Sequence, residues 1–291
     1  MPELAEVETL RRALAPVLIG RKVERVVVRT RSIVAAPGDP LAGFSRTRTR
    51  VRPRPLRRAM LLEGCAIRRL ERHGKQLAVD TGDGPAICVQ LGMTGGLSIA
   101  EASRPHEHVI WLLEGGVRLA FSDARRFGLI GCHTSFEDLR ERRWASLGPD
   151  ALTIRAEQLA RACAGSGRPI KALLLDQSAL AGVGNIYADE SLFLAGINPT
   201  IPADRLSPER LRTLAGAIRR VLRDAIRAGG SSIRDFRTID EAPGRYQSLH
   251  RVYARAGQPC VRCGSTLESR MIAQRRTVFC RTCQRPTIEA V

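Results

Sequence analysis

The chain opens with MPELAE (residues 1–6), and this stretch begins a pattern that continues as an amphipathic helix. Leucine and valine recur at helical spacing after it, which predicts a helix from Pro2 to about Leu18. Because residue 2 is small, we expect Met1 to be removed. Pro2 would then carry a free secondary amine at a helix N-terminus, where the positive end of the helix dipole lowers the pKa of an amine.

This terminal amine has two explanations. A secondary amine that is partly neutral near pH 7 can attack an electrophilic carbon and form an iminium ion. Glu3, the next residue, could carry protons to and from the reacting group. The same residues also have a purely structural explanation, because proline suits the first turn of a helix and acidic residues complement its dipole. The first six residues alone leave both explanations open and favour the structural one.

Composition favours a polyanionic partner. The chain has 291 residues, with 47 basic residues against 29 acidic ones and a net charge of +18. Nucleic acid is the commonest polyanion, although a ribosomal or merely cationic protein has the same charge pattern. Only three of the basic residues are lysines, at positions 22, 75 and 171, so few lysines are available for amine chemistry. No apolar stretch is long enough to span a membrane and no secretion signal is present, so we expect a cytoplasmic protein.

The first half has the pattern of an antiparallel β-sandwich. Residues 23–30 alternate as a strand, and short strand-like segments follow, separated by glycine-rich turns. Residues 31–58 are irregular, and their dense arginine run from Arg46 to Arg58 is expected to be a solvated loop. The further predicted strands are 59–63, 65–71, 76–80, 85–91, 107–113, 117–121 and 128–133.

Three polar segments interrupt these strands. The segment HGKQ (73–76) places Lys75 beside a glycine, where a ligand can approach the backbone closely. QLGMTGG (90–96) and SDARRFG (122–128) place Met93 and Phe127 on turns. Such side chains usually belong to a core, but on loops of a cationic protein they could instead fill the gap left by an unstacked base.

The second half is predicted to be helical. We expect a short helix plus linker over 151–168, a helix over 169–176 and a longer helix over 207–228. Between them, Gly182-Val183-Gly184 forms a turn and Asn185 caps a helix that runs to about Ala195. This arrangement can present backbone N–H groups and the Asn185 amide to a phosphate, although an ordinary helical hairpin fits as well. Residues 231–247 are expected to form a flexible loop.

The four C-terminal cysteines predict a metal site. Cys260, Cys263, Cys280 and Cys283 form two C-x2-C pairs with sixteen residues between them, the spacing of a structural zinc site on a β-hairpin. Two disulfides would be the alternative, but a cytoplasmic chain makes them improbable. The segment QRRT (274–277) falls at the predicted hairpin tip, where it could contact a phosphate or a groove.

In order along the chain, these motifs resemble the formamidopyrimidine-DNA glycosylase family, also called bacterial 8-oxoguanine DNA glycosylases. The resemblance implies an α+β fold. It has an N-terminal helix and antiparallel β-sandwich (1–148), a helical helix–two-turn–helix domain (149–250) and a four-cysteine zinc finger (251–291), with DNA in the cleft between. The motifs are PELAEVETLRR (2–12), HGKQL (73–77), QLGMTGGL (90–97), DARRFG (123–128), LLLDQSALAGVGNIYADESLFLAGINP (173–199) and AQRRTVFCRTC (273–283).

The resemblance also implies a mechanism and a set of site residues. Pro2 would attack C1′ of a flipped, oxidised purine nucleotide, and β- and δ-elimination would then cut the strand on both sides of the sugar. Glu3 would act as general acid and base, and Glu6 would hold the site in place. The phosphates around the lesion would be gripped by Lys75, Asn185, Tyr253 and Arg275. Met93, Arg125 and Phe127 would enter the void left by the extruded base, and the loop 231–247 would close over that base.

Some positions depart from the family pattern, and two alternative functions stay open. Ala5 and Ala124 replace prolines, and Gln90 stands where many members have histidine, so a phosphate contact there would be uncharged. Arg245-Tyr246 occupies a loop position that is often aromatic, which leaves base recognition open. The chain could be an endonuclease VIII-type glycosylase for oxidised pyrimidines, or a non-catalytic zinc-ribbon DNA-binding protein. As a family member it would act as a bacterial, nucleoid-associated monomer on damaged double-stranded DNA, with one structural zinc ion.

Overall fold

The computed structural model describes residues 2–39, 56–99, 102–232 and 243–286. The chain forms two compact units. The first comprises Met1–Pro2, Glu6–Ser146 and Ser231–Gly244, and the second comprises Glu3–Ala5, Leu147–Gly230 and Arg245–Val291. Residues 46–55 of the arginine run and residues 233–242 of the predicted loop lie outside the described residues. No helix in the described part of the chain is long and apolar enough to cross a membrane.

The first helix, α1 (Leu4–Leu18), confirms the predicted amphipathic segment, but it begins two residues after Pro2. Its apolar stripe of Val7, Leu10, Leu14 and Leu18 is buried in the core of the first unit. Burying each of the leucines contributes about 1.5–3 kcal/mol, which explains why this face specifies the position of the helix.

Two sheets form the predicted β-sandwich of the first unit. One sheet has the order β1-β7-β8-β6, and the other has the order β2-β9-β5-β4-β3. Buried side chains of both sheets share one core cluster, with Trp111 and Phe121 from the first sheet and Leu77 and Val89 from the second. The strands are β1 (Val23–Val28), β2 (Val34–Ala35), β3 (Arg69–His73), β4 (Gln76–Asp80), β5 (Ala86–Gln90), β6 (Gly95–Ile99), β7 (Glu107–Leu113), β8 (Val117–Asp123) and β9 (Leu129–His133).

The outer face of the second sheet is covered by a short helical segment. Helix α2 (Phe136–Leu139) starts at Ser135, whose hydroxyl accepts a hydrogen bond from the Asp138 N–H. A π-helical turn, Arg140–Trp144, continues it. Leu139 packs with buried residues of β4 and β5, so these two strands are covered on both faces and read as continuous apolar runs.

The predicted strand at 59–63 is wrong. Residues Arg58–Leu61 form a 3₁₀ helix, and Leu62 follows in the left-handed conformation with φ of 74°. The apolar residues here belong to a buried turn. Its Leu61 carbonyl accepts a hydrogen bond from the Trp111 indole N–H at 2.9 Å. Strand β6 was not predicted, because its glycines at 95 and 96 were assigned to a turn, yet it pairs with β8 along its whole length.

Among its described residues, the second unit contains four α-helices and the C-terminal hairpin. Helix α5 ends at Gly196, which adopts φ of 69° as expected for a helix C-terminus. The predicted capping role of Asn185 is wrong, since Gly184 occupies the N-cap position and Asn185 is the first helical residue. The elements are α3 (Ala156–Cys163), α4 (Ile170–Leu175), α5 (Asn185–Ala195), α6 (Pro208–Arg227), β10 (Glu268–Ile272) and β11 (Arg275–Phe279).

Candidate functional site

Glu3 is anchored at the N-terminus of α5. Its buried carboxylate accepts hydrogen bonds from the backbone N–H groups of Gly184 at 2.7 Å, Ile186 at 2.9 Å and Tyr187 at 3.4 Å. The positive end of the helix dipole and three otherwise unsatisfied donors therefore hold one carboxylate. A Cβ at position 184 would lie 2.4 Å from the Glu3 carboxyl carbon, so the close approach requires glycine.

The other predicted catalytic residues belong to the first unit. Pro2 lies two residues before the start of α1, and the Glu6 carboxylate accepts a hydrogen bond from the Ser231 N–H at 2.8 Å. Glu6 thereby ties α1 to the start of the segment that was predicted to close over the base. Lys75 lies half-buried in the turn between β3 and β4.

Asp123 joins the two loops that carry Met93, Arg125 and Phe127. Its carboxylate accepts hydrogen bonds from the Thr94 hydroxyl, from the Arg125 N–H at 3.1 Å and from the Gly128 N–H at 2.6 Å. Met93 and Phe127 are 37% and 38% exposed, so neither side chain is buried in the core. The two loops therefore present their apolar tips to solvent from a rigid base.

Close backbone packing also holds these two loops together. Gly92 has φ of +70°, and a Cβ there would lie 2.6 Å from the Gly128 nitrogen. The Arg125 guanidinium lies 4.6 Å from the centre of the Phe127 ring, within the range of a cation–π contact. The cation and the two apolar tips thus form one surface feature of the first unit.

In the second unit, Asn185 and Tyr253 border a cavity of about 260 Å³ together with Arg276 and Val278. The Asn185 amide donates a hydrogen bond to the Arg276 carbonyl at 3.0 Å. Arg275 is exposed at the first position of β11, directly after the turn at residues 273–274. The structure therefore brings Asn185 and Tyr253 together and places Arg275 one residue from the cavity border.

Glu190 positions the segment that carries Tyr253. The buried Glu190 carboxylate accepts hydrogen bonds from the N–H groups of Arg251 at 3.0 Å, Val252 at 2.9 Å and Tyr253 at 2.9 Å. The Tyr253 ring packs edge-on against His250 at 5.4 Å. A residue of α5 thus fixes the backbone at Tyr253.

A buried ion pair connects α4 and α5 to the hairpin. Lys171 is fully buried, and its ammonium lies 2.6 Å from Asp189 and 2.7 Å from the Thr277 hydroxyl. The other Asp189 oxygen accepts a hydrogen bond from the Val278 N–H at 3.0 Å. Burial lowers the pKa of Lys171 and raises the pKa of Asp189 to about 7, although each partner's charge acts in the opposite direction.

Lys171, Asp189 and Glu190 were not predicted as positioning residues from the sequence. One signal was available, because a lysine within the apolar stretch IKALLL (170–175) needs a partner if that helix is buried. Nothing in the sequence identified the partner, which lies on another helix.

The four cysteines predicted as metal ligands converge at the base of the hairpin. Their sulfur atoms all lie within 4.8 Å of one another, with Cys260 and Cys283 at 3.9 Å and Cys263 and Cys280 at 3.5 Å. Four Zn–S bonds of about 2.3 Å in a tetrahedron place the sulfur atoms about 3.8 Å apart, so these residues fit Zn²⁺. A site with four thiolates has no open coordination position, and the zinc is structural.

Comparison with known proteins defines the class. Residues 1–130 match the formamidopyrimidine-DNA glycosylase N-terminal domain, and residues 147–237 match the H2TH domain of the same glycosylase. Residues 257–286 match the zinc finger found in FPG and IleRS. The sandwich, the helical unit and the four-cysteine hairpin are thus those of a DNA glycosylase with a zinc finger. The chain belongs to the formamidopyrimidine-DNA glycosylase family.

Individual relatives are similar over their whole length. The formamidopyrimidine-DNA glycosylase of Stutzerimonas stutzeri is 41% identical, with 98% of this chain and all of that protein covered. The one from Xanthomonas oryzae is 38% identical with the same coverage. The crystal structure of MutM (Fpg) from Thermus thermophilus has a TM-score of 0.81 and 39% identity, covering 97% of this chain and 98% of that one. The Lactococcus lactis Fpg complex with DNA that contains an abasic site has a TM-score of 0.82 and 30% identity, covering 98% of this chain and 100% of that one.

Proposed function

We propose that this chain is a base-excision-repair DNA glycosylase with abasic-site lyase activity. Its substrates would be oxidised purines in duplex DNA, namely 8-oxoguanine and formamidopyrimidines. The observation that carries the proposal is the Glu3 carboxylate held by three backbone N–H groups at the start of α5, one residue from Pro2. Family membership and the names of the relatives support the same activity.

In this mechanism, Pro2 supplies the nucleophile after removal of Met1. Its nitrogen attacks C1′, and the damaged base leaves with the electron pair of the glycosidic bond. The Glu3 carboxylate takes the proton that the Pro2 nitrogen loses after attack and delivers it to the sugar ring oxygen. The ring then opens, and the nitrogen lone pair forms the iminium ion. The iminium ion makes the neighbouring C–H bond acidic, and elimination expels first the 3′ and then the 5′ phosphate. Glu6 holds α1 through its bond to Ser231.

The DNA contacts follow from the chemistry of the exposed groups. Lys75, Asn185, Tyr253 and Arg275 would grip the phosphates around the lesion, because ammonium, amide, phenol and guanidinium groups all donate hydrogen bonds. Met93, Arg125 and Phe127 would enter the void left by the extruded base. The tie at Asp123 supports this role, since a wedge must not retract when it enters the stack.

The proposed domain boundaries are 1–148, 149–250 and 251–291. Zinc bound by the four cysteines would keep the short hairpin folded, so that β11 presents Arg275. We also propose that the protein acts as a monomer in the bacterial cytoplasm, in association with the nucleoid. The alternatives, a glycosylase for oxidised pyrimidines and a non-catalytic DNA binder, are outcomes of the experiment below.

Borohydride trapping tests the proposed function. Wild-type protein is incubated with duplexes that carry 8-oxoguanine, a formamidopyrimidine or an oxidised pyrimidine, each opposite all four bases, and sodium borohydride reduces the iminium ion to a stable cross-link. We expect cross-linking to the purine lesions, with strand cleavage when borohydride is omitted. Glu3→Gln should lower turnover by at least about 100-fold, because general acid–base catalysis contributes about 10²–10⁴.

Glu24→Gln is the matched control, since Glu24 is an exposed glutamate on β1. It should cleave at the wild-type rate. Trapping only with pyrimidine lesions would replace the proposal with the endonuclease VIII-type activity. Lesion binding without any trapped species would identify a non-catalytic binder, and full activity with Met1 retained would exclude Pro2 as the nucleophile.

A further inference from the structure

A hydrogen bond in the first unit joins Gln90 to Arg143. Gln90 is the last residue of β5, and Arg143 lies in the π-helical turn that follows α2. The guanidinium donates to the Gln90 amide oxygen. Because a guanidinium has only donors, it fixes the orientation of this amide, and the Gln90 NH₂ group must point away from it. The pair therefore presents amide and guanidinium N–H groups together.

The positive charge of Arg143 is not neutralised within the described residues. Its neighbours Arg140 and Arg142 form ion pairs with Glu137 and Asp138, respectively. For Arg143, no described carboxylate lies within ion-pair distance, and its side chain is bound by the neutral Gln90 amide instead. A half-buried guanidinium held by a neutral acceptor keeps its full charge and loses little freedom when an anion binds.

This pair lies at the same end of the sheet as Lys75. Gln90 is the antiparallel partner of Gln76, the first residue of β4, and Lys75 directly precedes Gln76 in the turn. Paired residues of neighbouring strands have Cα atoms about 5 Å apart, so the backbone at Lys75 lies close to that of Gln90, the partner of Arg143.

Arg143 is also accessible. It borders a polar cavity of about 480 Å³, which Arg142 and His133 share. Asp39 lines the same cavity, but its carboxylate is already paired with the Arg31 guanidinium at 4.0 Å and accepts a hydrogen bond from the Ala36 N–H at 2.9 Å. The space beside the guanidinium can therefore admit an anion.

We propose that Arg143, positioned by Gln90, binds a DNA backbone phosphate next to the phosphate that Lys75 contacts. This inference rests on the proposed function, because it requires DNA to lie against Lys75. It assigns Arg143 a place in the DNA-binding surface that the motifs of the sequence did not indicate. The Gln90 amide is itself uncharged, and in this proposal Arg143 supplies the positive charge next to it.

The salt dependence of DNA affinity tests this assignment. Affinity of the full-length protein for a lesion duplex is measured between 50 and 200 mM NaCl for wild type, Arg143→Gln and Arg140→Gln. Each phosphate contact adds about 0.9 to the slope of log affinity against log salt. Arg143→Gln should reduce the slope by about 0.9, so that its affinity falls about 3.5-fold less than that of wild type over this range. Arg140→Gln removes the same charge at an exposed residue that pairs with Glu137 and does not border the cavity, and it should leave the slope unchanged.

Two further measurements separate binding from folding. Gln90→Glu retains the contact with Arg143 but neutralises its charge, and it should reproduce the slope of Arg143→Gln. Single methylphosphonate substitutions along the strand should identify one phosphate whose neutralisation weakens the wild type but not Arg143→Gln. Equal slopes for the Arg143 and Arg140 variants would overturn the assignment. Failure of wild-type borohydride trapping would instead overturn the proposed function, and the two failures are distinguishable.

Discussion

Replacing Lys171 with methionine tests the buried connection between the helices and the hairpin. The change removes the contacts of the ammonium with Asp189 at 2.6 Å and with the Thr277 hydroxyl at 2.7 Å. Breaking one partner of a buried ion pair costs about 3–5 kcal/mol, because the remaining charge stays in the interior without compensation. Methionine fills a similar volume, so the loss reports the charge rather than a cavity.

The loss should depend on pH. Burial raises the pKa of Asp189 to about 7, and removing Lys171 takes away an opposing influence, so this pKa rises further in the variant. A carboxyl whose folded pKa lies above its unfolded value of about 3.9 contributes stability that is full at low pH and is lost as pH rises through the folded pKa. The stability of K171M continues to fall with rising pH above pH 7, where that of wild type has become constant. The difference between their free energies of unfolding therefore grows above pH 7.

Urea unfolding at pH 6 and pH 8.5, with zinc present throughout, measures the loss in free energy of unfolding and its dependence on pH. The full loss is expected at pH 8.5 and a smaller one at pH 6. The double variant K171M/D189N should be more stable than K171M at pH 8.5, because no buried charge is left unpaired. A loss under about 1 kcal/mol at pH 8.5, or a loss that is the same at both pH values, would refute the reasoning.

Three other perturbations have defined outcomes. Gly92→Ala should lower stability by at least about 1–3 kcal/mol in thermal unfolding, since its backbone is left-handed and a Cβ would meet the Gly128 nitrogen; Gly96→Ala, with open space around it, should not. Burial raises the pKa of Glu8, but three arginines outweigh it and lower that pKa to about 2. About 2 kcal/mol of stability should therefore be lost in acid titration between about pH 4.5 and pH 2. Glu8→Gln should abolish that loss. Zinc chelation should weaken lesion-DNA binding, and zinc restores it; unchanged affinity would contradict a supporting role for the hairpin.

Much of the fold was predictable because its cause is local. Strands β4, β5, β7 and β9 were predicted within two residues, since apolar runs bounded by glycine turns specify them. The 3₁₀ helix Arg58–Leu61 was not, because an apolar run of that length suits a strand and a buried turn equally well. Periodicity cannot separate these two structures when the segment has only four or five residues.

The candidate site was predictable only where residues act near their own motif. The cysteine spacing led directly to a cluster of sulfur atoms. The support of Glu3 by Gly184 and Ile186 joins residues more than 180 positions apart, and no local pattern encodes such a contact. The same holds for Arg143, whose partner Gln90 is 53 positions away and whose neighbours also are arginines. Only the folded chain distinguishes one cation of such a run from the next.

The shared anchor at Asp123 has a practical consequence for protein engineers. The Asp123 carboxylate accepts hydrogen bonds from the Thr94 hydroxyl and from the Gly128 N–H, so it joins the segments 90–95 and 123–128 into one structural unit. Replacing one segment alone with that of a homologue could break a hydrogen bond to Asp123. Replacing both segments together would keep Met93 and Phe127 with the hydrogen bonds that hold their loops. Variants of either segment are therefore best made by exchanging the two segments together.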